Sequence, residues 1–144
     1  MNFQSVVVNV ADLDRSVDFY CDVFGFTLLS RKDQLAALYA EGNPRAQVIV
    51  LRSVGSSGFV GGARHVGIRG LILEVDTLDE LERIATELEK RQAFMLRRGG
   101  DGWTAVFGRD PDRIAVIAGA SLTDQPIALE AWATLDEALY AVGE

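Results

Sequence analysis

An internal repeat is the feature that most limits how this chain can fold. An offset of 65 residues places the apolar run at 6–10 on the run at 71–75, and it places Leu13 on Leu78. Each run opens the same order of a β-like segment, an amphipathic helix and three further β-like segments. A segment order that occurs twice indicates two copies of one supersecondary unit. We therefore predict an α+β protein made of two βαβββ modules.

The first helix has clear signals at both ends. Asp12 is suited to accept the free amides of a first helical turn. The apolar positions that follow, Leu13, Val17, Tyr20 and Phe24, are spaced by four, three and four residues, and Gly25 supplies a stop. The predicted strands are 5–10, 26–31, 35–40, 46–51, 71–75, 94–97, 103–107 and 114–118, with a hairpin loop at 99–102.

Composition shifts divide the chain into four parts. We predict an N-terminal module at 1–54, a Gly/Ser-rich connector at 55–64, a C-terminal module at 65–120 and a C-terminal extension with a short helix at 121–144. The extension is interrupted by Pro126 and is too apolar to be left in water. It must dock, either over a cleft, on a second subunit or on the outer side of a sheet. Its apolar residues are Leu129, Trp132, Leu135, Leu139 and Val142.

A four-stranded sheet with one helix leaves one sheet face uncovered, so two modules are expected to form a curved mixed sheet around a cleft for a small ligand. Strand alternation directs every second side chain away from the helix. In the first strand of each module this set is Ser5, Val7, Asn9 and Gly70, Ile72, Glu74. The predicted ligand-binding residues are Ser5, Asn9, Gly70, Ile72, Glu74, Trp103 and Phe107.

Each polar or aromatic candidate has an ordinary structural alternative. Glu74 either binds a cationic group or forms a salt bridge or a solvated rim, and Asn9 either orients a ligand or pairs with backbone. Trp103 and Phe107 lie on one side of a strand, where aromatic side chains serve as a ligand surface or as core or dimer packing. Two further side chains, Arg31 and Arg52, either clamp an anion or are surface charges.

The net charge of the chain limits the classes of binding partner that are expected. With 14 Lys and Arg against 21 Asp and Glu, the net charge is −7, which disfavours nucleic acid and anionic membrane surfaces and favours a cationic or aromatic small molecule. The single cysteine, Cys21, cannot form an internal disulfide and is interpreted as a packing residue. No apolar run approaches the length of a membrane span, so a cytoplasmic location is expected.

The sequence resembles the vicinal oxygen chelate superfamily over about residues 3–120. Its first module is similar to the N-terminal signature of that family in VNVADLDRSVDFY at residues 8–20 and VFGF at 23–26. The turn Asp110-Pro111-Asp112 resembles the second-module turn, usually Asp-Pro-Asp-Gly-Asn, with Arg113 and Ile114 in place of the final Gly-Asn. The family includes glyoxalase I, bleomycin-resistance proteins, fosfomycin-modifying enzymes and extradiol dioxygenases.

The resemblance implies a homodimer, and in most family enzymes it implies a divalent metal held by His and Glu. The corresponding positions fall on Ser5, Gly70 and Ile117, and near Val50, none of which supplies an imidazole or a carboxylate. The single histidine, His65, either contributes to a site or lies in a loop or edge strand. We therefore predict no metal and no cofactor.

Three classes of function remain open at this stage. The first is a small-molecule binding, sequestering protein without the usual metal ligands. The second is a lyase, isomerase or dioxygenase of the same superfamily that is metal-free, with Glu74 or His65 as a base, or that has an atypical site. The third is a regulatory or structural role.

Overall fold

The chain divides into two compact units, Met1–Phe59 and Val60–Glu144. The computed structural model describes residues 5–40, 48–55, 68, 70–123, 133, 134 and 137. The connector beyond Gly55, His65 and the apolar residues predicted to dock the extension lie outside this part of the chain. No helix among the described residues is long and apolar enough to cross a membrane.

Each unit contains a helix of 12 or 13 residues and a four-stranded mixed sheet, in the order predicted from the repeat. In unit 1 the elements are β1 (Ser5–Val10), α1 (Leu13–Phe24), β2 (Phe26–Lys32), β3 (Leu35–Ala40) and β4 (Val48–Ser53). In unit 2 they are β5 (Gly70–Glu74), α2 (Leu78–Lys90), β6 (Phe94–Gly100), β7 (Trp103–Arg109) and β8 (Ala115–Ser121). The two βαβββ modules are thereby confirmed.

The two sheets have the same topology. The strand orders are β1-β4-β3-β2 and β5-β8-β7-β6, so in each unit the first strand pairs in parallel with the last. Even an irregularity is repeated, because the register shifts between Leu28 and Ser30 in β2 and between Phe94 and Leu96 in β6. The repeat therefore extends to the details of strand pairing.

The helix ends follow the local chemistry. The Asp12 side chain accepts a hydrogen bond from the Arg15 amide at 3.0 Å, and Gly25 ends α1 with a φ of 74°. Both features confirm the sequence prediction, since a left-handed residue is accommodated best by glycine. Thr77 caps α2 in the same way, by accepting from the Glu80 amide at 3.1 Å.

Each helix covers one face of its own sheet. Helix α1 packs on β2, β3 and β4, and α2 packs on β6, β7 and β8. An ion pair reinforces each contact, between Arg31 and Asp14 in unit 1 and between Arg97 and Glu82 in unit 2. Arg31 is therefore engaged at the helix. It is one of the two arginines for which anion binding was an alternative.

Six strands have different bounds from those predicted. The differences are one residue for β2, which runs to Lys32, and for β5, which spans Gly70–Glu74, and they are larger for β4, β6, β7 and β8. β4 begins at Val48 and runs to Ser53, because it pairs with β1 along the whole of Ser5–Val10. β6 extends to Gly100 because the β6–β7 ladder continues to a two-residue turn, Asp101–Gly102. β7 and β8 likewise run to Arg109 and Ser121, beyond the predicted 107 and 118. The pairing between strands determines where each strand ends. The residue pattern of a single strand carries no information about that pairing.

The turn that resembles the family's Asp-Pro-Asp-Gly-Asn forms without its glycine. Asp110 is buried, and one of its carboxylate oxygens accepts hydrogen bonds from the amides of Asp112 and Ile114, both at 2.8 Å. Arg113 adopts a φ of 67°, in the left-handed region. The hydrogen bonds to Asp110 hold this conformation despite the steric cost of a side chain there.

Cys21 is half-buried in α1, and burial, followed by the charges of Asp22 and Asp18, raises the pKa of its thiol. Since the thiolate is the nucleophile, we expect iodoacetamide to alkylate Cys21 more slowly than it alkylates glutathione at pH 8. The rate should rise as the pH increases above the ordinary thiol range. The substitution Asp22→Asn should lower the pKa of the thiol and speed alkylation at pH 8, and a rate in the parent protein equal to that of glutathione would contradict this account.

Candidate functional site

One face of the unit 2 sheet holds most of the predicted ligand-binding residues. Gly108 shows which side chains of the sheet point toward α2, because an added Cβ at Gly108 would lie 2.9 Å from Cδ2 of Leu88 in that helix. The row of Gly108 therefore faces the helix, and the alternate rows face away from it. We call the face away from α2 the distal face of unit 2.

Strand register brings five of the seven predicted residues to this distal face. Cross-strand partners have side chains on the same side of a sheet. One row runs Ile72, Ile117, Phe107, Leu96, and the adjacent row runs Glu74, Gly119, Ala105, Arg98. Gly70 pairs with Ala115 below these rows, and Trp103 pairs with Ser121 above them. The other two predicted residues, Ser5 and Asn9, lie on β1 in the sheet of unit 1.

Burial differs sharply across the distal face. Trp103 is 5% exposed and Phe107 is 0% exposed, and they belong to one apolar cluster with Ala105, Ala115 and Ile117. At the β5 edge, Ile72 is 36% exposed and Glu74 is exposed. The side of this face that is open to a ligand is therefore β5, and the aromatic side chains form a covered interior.

Trp103 is oriented by a glycine on the neighbouring strand. An added Cβ at Gly100 would lie 2.9 Å from Cε2 of Trp103 and closer still to Nε1. The indole therefore lies across the backbone of Gly100, and a side chain at position 100 would displace it. The burial of Trp103 depends on this close approach.

Glu74 lies at the carboxyl end of the edge strand β5, and its side chain is exposed. Its register partner, Gly119, has no side chain, and no described residue forms an ion pair with the Glu74 carboxylate. With about 4.8 Å between strands and 3.4 Å per residue, its Cα lies about 12 Å from those of Trp103 and Phe107. The site therefore combines an accessible carboxylate with the partly exposed side chain of Ile72, and the aromatic cluster lies buried further along the same face.

The face of the unit 1 sheet that lies away from α1 is called the distal face of unit 1. The predicted ligand-binding side chains on it are exposed. Ser5, Val7 and Asn9 all point away from α1, while Val8 and Val10 are buried beneath it. Asn9 pairs in register with Arg52, which is also exposed. The predicted alternation is confirmed, and Arg52 lies among solvent-exposed polar residues.

The positions that correspond to the family's metal ligands do not fit a metal ion. Ile117 is fully buried in the apolar cluster, and a Cβ at Gly70 would lie 2.8 Å from the carbonyl oxygen of Ala115. A histidine at position 70 would therefore collide with β8. In the part of the chain that the structure describes, no group of three or more His, Cys, Asp or Glu side chains could hold a metal.

Comparison with known proteins now identifies the family. The model of the Glyoxalase/Bleomycin resistance protein/Dioxygenase superfamily matches residues 2–117. The chain belongs to this superfamily. None of the curated proteins matches the sequence.

Solved structures of the superfamily share the fold at low sequence identity. A glyoxylase/bleomycin resistance protein/dioxygenase domain from Frankia sp. EAN1pec is 24% identical, with a TM-score of 0.69 and coverage of 84% of this chain and 98% of that one. Lactoylglutathione lyase from Agrobacterium tumefaciens is 21% identical (TM-score 0.61, 83% and 92% covered). TnmS3, an antibiotic binding protein from Streptomyces sp. CB03234, is 20% identical (TM-score 0.62, 84% and 96% covered). These superfamily structures include both an enzyme and a binding protein, so the likeness establishes the fold and leaves the activity open.

Three residues of the distal face were missed by sequence reasoning. Ala105 lies between Trp103 and Phe107 in the alternation and could have been found from it. Gly119 can be placed on this face only from the parallel pairing of β5 with β8, which no local sequence pattern indicates. Arg98 lies beyond the predicted end of β6, and only the longer ladder places it on this face.

Proposed function

We propose that this protein is a small-molecule binding, sequestering member of the superfamily that takes up a cationic or aromatic ligand at the distal face of unit 2 without a metal ion. The observation that carries this proposal is the exposed Glu74 carboxylate beside the partly exposed Ile72 side chain on the same sheet face. A carboxylate with neighbouring apolar groups attracts a cation and removes its organic part from water.

The ligand is proposed to approach at β5. Ile72 is the accessible end of the row that continues through Ile117 to Phe107. A flat apolar group placed on Ile72 would bring an attached cation to Glu74, because the two residues are neighbours on one side of the strand. Ser5 and Asn9 in unit 1 and Gly70 in unit 2 are also proposed as ligand-binding residues, each on the sheet of its own unit.

The antibiotic-binding protein among the structural relatives supports a binding role. TnmS3 has this fold and is described as an antibiotic binding protein. The metal-dependent reactions of the family require side chains that bind the metal ion. Ser5, Gly70 and Ile117 occupy the corresponding positions and have no suitable side chain. We also propose a homodimer and a cytoplasmic location, the first from the family resemblance and the second from the single cysteine, Cys21.

A catalytic role is the second candidate, because Glu74 is a carboxylate aimed away from the sheet and could serve as a general base. Lactoylglutathione lyase shares the fold. Turnover of a bound compound that is lost in Glu74→Gln would favour this candidate over sequestration. A compound recovered unchanged after binding would favour sequestration.

The substitution Glu74→Gln tests the binding proposal. We expect it to weaken N-methylquinolinium by about fivefold, because an exposed carboxylate contributes up to about 1 kcal/mol to an ion pair. Uncharged quinoline should bind both proteins equally at pH 7. The measurement is a titration followed by amide chemical shifts, with the largest changes expected in β5 and β8.

The matched control is Glu89→Gln, which makes the same charge change at an exposed position on α2, away from the distal face. It should bind N-methylquinolinium as the parent protein does. If Glu74→Gln and Glu89→Gln have the same affinity for the cation, Glu74 is a rim carboxylate and the proposal loses its anchor.

A further inference from the structure

One row of side chains on the distal face of unit 1 carries two positive charges. Asn9 points away from α1 in the alternation of β1, and cross-strand partners have side chains on the same side of a sheet. Arg31 is paired with Asp14 of α1, so Lys32, the next residue of β2, points to the opposite side. We call the resulting set the cationic row. In the strand order β1, β4, β3, β2 it consists of Asn9, Arg52, Leu35 and Lys32.

The polar side chains of the cationic row are exposed. Asn9, Arg52 and Lys32 form no ion pair or side-chain hydrogen bond with another described residue. The four strands of unit 1 contain no aspartate or glutamate. Asp12 caps α1, and Asp33 lies in the turn after Lys32, whereas Arg52 has no acidic residue within ten positions in sequence. Arg52 is therefore the cation of the row that neighbouring residues in sequence compensate least.

The backbone that carries Arg52 is held on both sides. The Ser53 amide donates a hydrogen bond to the Gln34 carbonyl, in the turn before β3, and the Val54 amide donates to the Val10 carbonyl of β1, both at 2.8 Å. Neighbouring strands are about 4.8 Å apart, so the Cα atoms of Arg52 and Asn9 are separated by about that distance. Their side chains are close enough to bind one carboxylate group.

Apolar side chains continue the same face next to the cationic row. Val7 is 55% exposed, and Leu35 is 43% exposed. Val50, the register partner of Val7, and Ala37, the partner of Val50, are half-buried. The row of Val7 lies about 7 Å from the cationic row, since two residues of a strand span that distance. An exposed apolar surface with polar groups at its rim is typical of a ligand-binding surface.

The equivalent row of unit 2 has a different chemistry. The offset of 65 residues places Asn9 on Glu74, and the parallel strand pairing places Arg52 at the position of Gly119. Unit 1 therefore has an amide and a guanidinium where unit 2 has a carboxylate and no side chain. The two modules share a topology and differ in the charge of the group that each can bind.

We propose that the distal face of unit 1 binds an organic carboxylate, through hydrogen bonds from the Arg52 guanidinium and the Asn9 side-chain amide. The planar guanidinium matches a carboxylate with two parallel donors. The apolar part of the molecule lies on Val7 and Leu35. Lys32, two strands from Arg52, adds a second positive charge with a Cα about 10 Å away. This site goes beyond the cation site proposed for unit 2 and uses none of its residues.

The net charge of −7 opposes an anion only weakly at this position. At an ionic strength of 0.15 M, exposed charges further away than about 8 Å are largely screened. The acidic residues of α1 belong to the helix that packs on the opposite face of the sheet. Donors in direct contact with the carboxylate therefore dominate its binding.

Titration of the full-length protein with 2-naphthoate, followed by amide chemical shifts, tests the site. We expect Arg52→Gln to weaken binding by about fivefold, as is typical for loss of one exposed ion pair. Arg15→Gln is the matched control, because it makes the same charge change at an exposed position of α1. It should bind 2-naphthoate as the parent protein does. The largest shifts should occur in β1 and β4.

Two further comparisons separate the contributions of charge and hydrogen bonding. Uncharged 2-naphthamide should bind the parent protein and Arg52→Gln equally, because it lacks the carboxylate. Asn9→Asp keeps the shape of the side chain and replaces an amide donor with a negative charge. It should weaken 2-naphthoate at least as much as Arg52→Gln does.

Three results would overturn the proposal. One is an equal affinity of Arg52→Gln and Arg15→Gln for 2-naphthoate. Another is a set of shifts centred on β5 and β8 of unit 2. The third is an affinity that rises when the protein is diluted, since a second copy of the chain would then be the occupant of this face.

The same variants distinguish this site from the proposed function. Arg52→Gln should bind N-methylquinolinium as the parent protein does. If only Glu74→Gln weakens its own probe, the proposed function stands and the carboxylate site is wrong. If only Arg52→Gln weakens 2-naphthoate, the carboxylate site stands and the cation site of unit 2 is wrong.

Discussion

Replacing Tyr20 with alanine is expected to lower the free energy of unfolding of unit 1 by about 4 kcal/mol, as is typical when a large aromatic side chain is removed from a core. Tyr20 is 0% exposed. Its ring centroid lies 5.3 Å from that of Phe19, 6.1 Å from Phe24 and 6.2 Å from Phe26. Collapse around the vacated volume is limited because these rings are held by α1 and β2. Urea unfolding followed by circular dichroism measures the loss.

Asp18→Ala is the matched control for Tyr20→Ala. Asp18 lies on the same helix and is exposed, so its substitution should change the free energy of unfolding by no more than about 0.5 kcal/mol. A loss for Tyr20→Ala as small as that of the control would show that the aromatic cluster does not form the core of unit 1.

Placing histidine at position 70 is expected to destabilise unit 2 by about 2 kcal/mol without creating a metal site, because overpacking of a tight contact costs about 1 to 3 kcal/mol. The Cβ of any side chain at Gly70 would lie 2.8 Å from the Ala115 carbonyl oxygen and 3.1 Å from the Ala115 Cβ. Since the obstacle is backbone, β5 and β8 would have to separate. Urea unfolding with and without added zinc measures both effects.

Ser5→His provides the comparison at the equivalent position of unit 1. Ser5 begins β1 as Gly70 begins β5, and its side chain is exposed. Its substitution should be tolerated within about 0.5 kcal/mol. A Gly70→His protein as stable as the parent, or one that binds zinc stoichiometrically, would contradict the interpretation of this position.

The fold was predictable because its signals are local and occur twice. Asp12, Gly25 and the apolar spacing of α1 act within a few residues of one another, and the repeat carried the same order to unit 2. Strand ends were less accurate because they depend on partners far along the chain. β4, for example, reaches Ser53 through its pairing with β1.

The candidate site was predictable in part. Alternation along β5 correctly separated Ile72 and Glu74 from Leu71, since a two-residue period is a local property. It could not show that Trp103 and Phe107 would be buried, because burial depends on contacts with residues distant in sequence. It also missed Gly119, whose place beside Glu74 follows only from the parallel register.

The central claim is that the protein binds a small cationic ligand through its own side chains and without a divalent metal. The direct measurement is a titration of the untagged, full-length protein with N-methylquinolinium in the presence of excess EDTA and again with added zinc or nickel. We predict the same affinity in both conditions and about fivefold weaker binding in Glu74→Gln. Binding that disappears with EDTA and returns with the metal would contradict the claim.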